Sequence, residues 1–207
     1  MDQNTNTIYG YEALLRKEEN GAWHLPQDFT ELSVEEQTEL IEETVSLIKH
    51  QTGEDKVISF NLNKKQANDE YTLGAVIALK KHIKPVELII ELTEAMSLEK
   101  IKEISVLLHQ YDISLVIDDV GTGSNTYDNI HYALPYVDKI KFAMQNLRMD
   151  GNADKIPEAL SFWVKQAEKY CLGIVLEGVE DYKDQVLAKN FGINIQQGYL
   201  YGKPQMP

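Results

Sequence analysis

The sequence predicts a parallel α/β protein, and three observations carry that reading. Strand-like and helix-like segments alternate along its 207 residues, the rhythm of units whose crossover helices pack on a parallel sheet. The strand segments, such as VELIIE and LGIVLE, are almost continuously apolar, as strands covered on both faces are. About seven such segments occur, close to the eight of a closed barrel. A doubly wound open sheet is the competing architecture, although the first half holds no GxGxxG turn of a dinucleotide fold.

In chain order, IYGYEALL is the first strand candidate. Ser33 and Glu36 are spaced as a capping box. Behind them Leu40, Ile41, Thr44, Leu47 and Ile48 trace one helical face. The strand KVISFNLN follows, then a helix over 64–82 and the strand VELIIELTE. Ser97 can cap a helix with Ile101, Ile104 and Leu108 on one side. After ISLVIDD comes a Gly-rich turn with a short helix, and VDKIKFA is the next strand. Ile156, Leu160, Val164 and Ala167 mark a long helix leading into LGIVLEG. Residues 181–191 read as a helix and NIQQGYLY as the last strand. There is no linker, low-complexity stretch or internal repeat, so residues 1–207 read as one domain.

Composition excludes several function classes. A net charge of −13 repels nucleic acid and anionic membranes, so DNA is not an expected partner. It leaves room for a phosphate ligand, because bound metal ions invert the local field. No apolar run approaches the ~20 residues of a membrane helix, and the start, MDQNTNT, lacks the basic region of a signal peptide. Cys171 is the single cysteine. It allows no intrachain disulfide, fits a reducing cytoplasm, and in the apolar run YCLGIV reads as a small core residue. The five histidines show no paired ligand spacing, which disfavours zinc.

Acids recur where strand patterns stop. Glu91 ends VELIIE, Asp118 and Asp119 end ISLVIDD, and Glu177 ends LGIVLE with Glu180 just after it. Glu12 closes IYGYE and Asn61 closes VISFN. Parallel strands aim their carboxyl ends at one face, where barrel active sites lie. Carboxylates converging there raise one another's pKa unless cations neutralise them. A divalent-metal site with oxygen ligands is the economical reading. Asp118 and Asp119 are neighbours, so one of them needs the strand to end or kink, and Gly121 makes that easy.

The motifs then resemble one family, the EAL domain, the cyclic di-GMP phosphodiesterase of bacteria. EALLR lies at 12–16 after Gly10 and Tyr11, and NLN at 61–63 is similar to Asn-x-Ser. IELTEA, IDDVGTG, KIKFA, LEGVE and QGYLYGKP complete the series in family order over residues 8–204. The resemblance implies a TIM-like (β/α) barrel whose first strand is antiparallel to the rest. Only eleven residues precede Glu12, so that strand is expected to be missing, with an unpaired edge and an apolar gap beside IYGYEALL.

The resemblance also implies the chemistry: metal-dependent hydrolysis of cyclic di-GMP to linear pGpG. Glu12, Asn61, Glu91 and Asp118 would hold one metal, and Asp118 with Asp119 a second, with Mg²⁺ or Mn²⁺ suiting the oxygen-rich set. Lys141 would supply a fixed charge near the attacking water, Glu177 would accept its proton, and Asp119 would join the catalytic set. In VDKIKF, Lys141 shares a face with Lys139 if alternation holds; one of the two is expected to point inward. Leu14, Arg16, Glu180, Gln197 and Pro204 would contact the substrate. Arg16 can alternatively make an ion pair on the rim. Glu94 would anchor the loop after Asp119, through which, with the following helix, a homodimer could form. Two departures stand out. The family's Lys-x-Asp becomes Lys141-Phe142-Ala143, and Ser124, Asn125 and Thr126 replace a tyrosine and two serines. They leave open a degenerate domain that binds cyclic di-GMP or a protein without cleaving it.

Overall fold

The computed structural model describes residues 1–19, 22–24, 33–54 and 56–205. Its strands are β1 (Gly10–Ala13), β2 (Lys17–Glu19), β3 (Ala22–His24), β4 (Val57–Leu62), β5 (Leu88–Leu92), β6 (Ile113–Ile117), β7 (Lys139–Ala143), β8 (Gly173–Glu177) and β9 (Ile195–Gln196). Seven of them form one sheet in the order β1-β4-β5-β6-β7-β8-β9, and every pairing is parallel. The seven predicted strands are these seven. The barrel is incomplete: among the described residues β1 and β9 do not pair. Gly10 is required where β1 meets β4, because a Cβ there would lie 2.5 Å from the Val57 carbonyl oxygen.

The helices are α1 (Val34–Thr52), α2 (Lys64–Asn68), α3 (Glu70–His82), α4 (Leu98–His109), α5 (Tyr127–Ile130), α6 (Met144–Met149), α7 (Ile156–Tyr170) and α8 (Tyr182–Asn190). The capping box before α1 forms: Glu36 N donates to Ser33 Oγ, and Ser33 N donates to the Glu36 carboxylate. Ser97 likewise accepts from Lys100 N at α4.

The helices cover one face of the sheet, and the apolar core lies between. Phe60, Ile90, Ile117, Ile140, Phe142 and Leu176 alternate along the strands and pack there with Val76, Ile104 and Leu160. Burying each such side chain contributes roughly 1.5–3 kcal/mol. The opposite face lines the barrel interior, where Val57, Ile89, Val116, Val175 and Ile195 are interspersed with polar and charged side chains. Ser59, Glu91, Lys139 and Lys141 face a cavity of about 60 Å³ there, beside Tyr9–Glu12. The gap expected next to IYGYEALL exists and is largely apolar, with charged side chains set into its lining.

Four further expectations are corrected. The helix over 64–82 is two helices, because Asp69 leaves the helical region (φ −90, ψ 118) and caps α3 by accepting from Thr72 N. Cys171 is exposed rather than in the core; it ends α7 in a left-handed conformation (φ 57). The last strand is only Ile195–Gln196, and the hairpin of β2 and β3 was not foreseen. The start of the chain, in which only a missing strand was expected, pairs with β9. Gln196 N donates to Met1 O and Gln3 N to Asn194 O, which sets Asp2 antiparallel to Ile195 along β9.

Candidate active site

The carboxyl ends of the strands bring the predicted residues together. Register places Asn61 beside Glu91 and Ala143 beside Glu177. Asp118 follows β6 directly, and Gly178, with φ +72, turns the chain immediately after Glu177. At the centre is the Lys141 ammonium. Its Nζ lies 2.6 Å from Glu91, 2.6 Å from Glu177, 3.1 Å from Glu12 and 3.7 Å from Asp118. The Glu177 contact is an ion pair whose angles are not those of an aligned hydrogen bond. Glu12 also accepts from Asn61 Nδ2 and Gln197 Nε2, each at 2.8 Å. Lys139 corrects the expectation that one lysine of the pair points inward. Both do, Lys139 one layer deeper, where its Nζ donates to the Tyr9 hydroxyl at 3.1 Å.

Burial and charge set the protonation states. Lys141 is 3% exposed, Glu91 3% and Glu177 6%. Burial pushes Glu177 up to about 8, with Lys141 pulling it down and Asp118 and Glu12 pushing it up. Burial likewise raises Glu91 to about 7 and Asp118 to about 6. Glu12 ends below its ordinary value: burial raises it, but Lys141 and the hydrogen bonds from Gln197 and Asn61 outweigh that. Burial opposes the charge on Lys141, yet the surrounding carboxylates hold it firmly protonated.

Asp119 sits outside this cluster. Its backbone is left-handed (φ 49), a region Asp tolerates better than most residues, and its N–H donates to Asp118 Oδ1 at 2.9 Å. The kink expected between the two aspartates is therefore at Asp119 itself. One ligand oxygen or equivalent atom from each of Asp118, Asp119 and Glu177 lies within 4.8 Å of the others. The following loop is held by Asn125, 1% exposed, whose Nδ2 donates to Asp118 O at 2.7 Å and to Thr93 O at 3.2 Å. Ser124 Oγ accepts from Ala95 N. Glu94, the expected anchor, is exposed; the loop attachments run through Ser124 and Asn125.

The remaining predicted residues divide. Gln197 joins the cluster through Glu12. Leu14 is exposed just beyond β1, and the Arg16 guanidinium donates to Leu15 O at 2.9 Å. Glu180 is exposed, 3.7 Å from Arg148, and Pro204 is exposed. None of these four touches the central carboxylates. Two residues that sequence reasoning missed do matter: Arg148, which donates to Gly178 O and Asp184 at 2.6 Å each, and Asn146, which donates to Asp119.

The residues fit an oxygen-ligated divalent cation. Five carboxylates (Glu12, Glu91, Asp118, Asp119 and Glu177) stand against one ammonium. The buried Asn61 Oδ1 has no hydrogen-bond donor, and a hard cation would satisfy it.

Fold and site together define an incomplete parallel barrel with a charge-dense mouth suited to a hard cation. The chain belongs to the EAL domain family, whose pattern it matches over residues 1–204. The cyclic di-GMP phosphodiesterase PdeL of Escherichia coli (strain K12) is 34% identical over 122 residues, 58% of this chain and 33% of that protein. The Bacillus subtilis YkuI protein, in complex with substrate c-di-GMP and calcium, has a similar fold: TM-score 0.77 at 19% identity, covering 100% of this chain and 54% of that one. Klebsiella pneumoniae BlrP1, in a manganese/cyclic di-GMP complex, gives 0.74 at 19% identity, covering 99% and 54%. The chain spans only 33%, 18% and 22% of the length of three curated relatives that it matches.

Proposed function

We propose that this chain is a metal-dependent phosphodiesterase domain that hydrolyses cyclic di-GMP to linear pGpG in the cytoplasm of a bacterium. The observation that carries the reading is the convergence of Glu12, Glu91, Asp118 and Glu177 on Lys141 at the strands' carboxyl ends. Mg²⁺ or Mn²⁺, as a pair, would acidify a water and screen the phosphate oxygens when bound. Glu12, Asn61, Glu91, Asp118 and Asp119 would hold them. Glu177 takes the proton of the attacking water. Lys141 supplies a fixed positive charge near that water, and the 3′ oxygen leaves in line. Leu14, Arg16, Glu180, Gln197 and Pro204 form the rim that would receive the dinucleotide, with Arg16 able to fork onto a phosphate. The loop after Asp119 and α5 would supply a homodimer contact. Among the described residues no helix is long and apolar enough to cross a membrane.

Ala143 favours a second reading, in which the domain binds without cleaving. Incubation with cyclic di-GMP and Mn²⁺, followed by chromatography, separates the two: pGpG supports hydrolysis, and bound but uncut ligand supports the second. Mn²⁺ binding should collapse in Asp118→Ala while the fold survives. An unchanged calorimetric titration in that variant rules out the proposed ligand set.

Ala143 closes β7 on the same face as Lys141, opposite Glu177, and is 3% exposed. Ala143→Asp adds a carboxylate where several already crowd, so metal-free thermal stability should fall. With Mn²⁺ present the same change should raise turnover by steadying the Lys141 ammonium. A rate that stays at the wild-type level shows that Ala143 does not limit this chain.

A further inference from the structure

We propose that Asn146 is a positioning residue for Asp119, orienting that carboxylate toward a bound divalent cation. The inference rests on the metal-dependent reading above and adds a residue that the motifs do not mark. Its starting point is Ala143, whose methyl can neither orient a neighbour nor donate to it. Immediately beyond it the chain turns into α6, and Asn146 on the first turn faces back across the mouth. Its Nδ2 donates to Asp119 Oδ1 at 2.8 Å and approaches Thr122 Oγ1 at 3.4 Å. Thr122 Oγ1 in turn donates to the Asp119 carbonyl at 2.8 Å. Asp119 is thus tied at its backbone and at one side-chain oxygen.

The direction of the amide follows from chemistry. An ionised carboxylate only accepts, so the NH₂ end of Asn146 must face it. The terminal torsion of an aspartate is broad and roughly two-fold. Holding one oxygen narrows that torsion and leaves the other oxygen for a cation. A neutral donor also orients Asp119 without adding to the five carboxylates already gathered. The support is itself fixed, because Arg148, two residues on, donates to Gly178 O and Asp184, each at 2.6 Å. That bracket ties α6 to the turn behind Glu177, so the short helix that carries Asn146 is held beside the acids it serves. Hydrogen-bond partners of metal ligands typically contribute 10–100-fold to metal affinity.

The test is calorimetric Mn²⁺ titration, without dinucleotide, of the wild type, Asn146→Ala, Asn146→Leu, Asp119→Asn and the double variant Asp119→Asn/Asn146→Ala. Alanine is a strong helix former and leucine keeps the volume, so α6 should persist in both. Asparagine tolerates the left-handed backbone at position 119. Both Asn146 variants should weaken the Mn²⁺ binding that Asp119→Asn also weakens, by about 10–100-fold. In the Asp119→Asn background the Asn146 change should cost nothing more, whereas a merely structural role would add its full effect. Wild-type isotherms for the Asn146 variants, an unaltered Asp119→Asn isotherm, or additive losses each overturn the proposal. A wild type that takes up no Mn²⁺ overturns the metal-dependent reading as well, which separates that failure from this one.

Discussion

Glu177→Gln is expected to lower turnover of cyclic di-GMP by a factor of about 100 or more, the scale of lost general acid–base assistance. Affinity for the dinucleotide should stay within a few-fold. Glutamine keeps the shape of the side chain and its place at the end of β8, so packing beneath helices α6 and α7 is undisturbed. What it loses is basicity. Glu177 is suited to that role because burial lifts it to about 8 while Lys141, 2.6 Å away, supports the ionised form. A base poised near neutral pH can take a proton from water and release it again within one turnover. A carboxylate at the ordinary value would be a weaker base. The measurement should be made at saturating Mn²⁺, since Glu177 also lies within the Asp118–Asp119 group. Equal losses of affinity and turnover would assign Glu177 to ligand binding instead.

The ends of strands were legible because their grammar is local. An apolar run interrupted by an acid or, at Asn61, an amide, repeated down the chain, gave Glu12, Asn61, Glu91, Asp118 and Glu177, and parallel pairing then brings them to one mouth. Lys141 was picked out by the family spacing, since the two-residue period alone does not separate it from Lys139. That period sends both inward, because residues two apart share a face, and only the depth of the layer separates them. The α2–α3 break lay within reach of the sequence too. Asp69 precedes Glu70 and stands three residues before Thr72, a capping arrangement that the longer helical periodicity concealed.

Other features were not legible. Cys171 sits in an apolar run, yet it falls where α7 must end, and a left-handed cap turns it to solvent. Asn125 and Asn146 carry no periodicity of their own. Each works through hydrogen bonds to residues outside its own element, Asn125 to Asp118 O and Thr93 O and Asn146 to Asp119 Oδ1, that depend on how a loop and a short helix fold back. Glu94 illustrates the converse. A motif marks it as the loop anchor, but the loop's attachments are made by its neighbours. The charged residues set into the interior lining were also hidden, because alternation that is apolar outward and partly charged inward reads as an almost continuous apolar strand when the charges are few.

Removing the central ammonium should have the largest effect on stability. Lys141→Met keeps the length and burial of the side chain but leaves Glu12, Glu91, Asp118 and Glu177 without their shared cation. Breaking a buried ion pair by deleting one partner typically costs about 3–5 kcal/mol. In a chain of this size each kcal/mol lowers the melting temperature by roughly 2–4 °C. The loss should depend on pH, and its sign follows from the folded values. Glu91, Asp118 and Glu177 lie at about 7, 6 and 8 even with Lys141 present, above their ordinary values of 4.5, 3.8 and 4.5. A carboxylate raised in this way stabilises the fold fully below its unfolded value. That contribution is lost as pH rises through the folded one. Without Lys141 the three rise further, and burial of Glu12 is no longer outweighed by the ammonium. The variant should therefore melt far below the wild type at pH 8 and approach it near pH 5, where the acids hold their protons. Added Mn²⁺ should recover part of the deficit at pH 8, because a divalent cation replaces the missing charge. A deficit of the same size at both pH values, indifferent to Mn²⁺, would mean that Lys141 supports the barrel through packing and not through its charge.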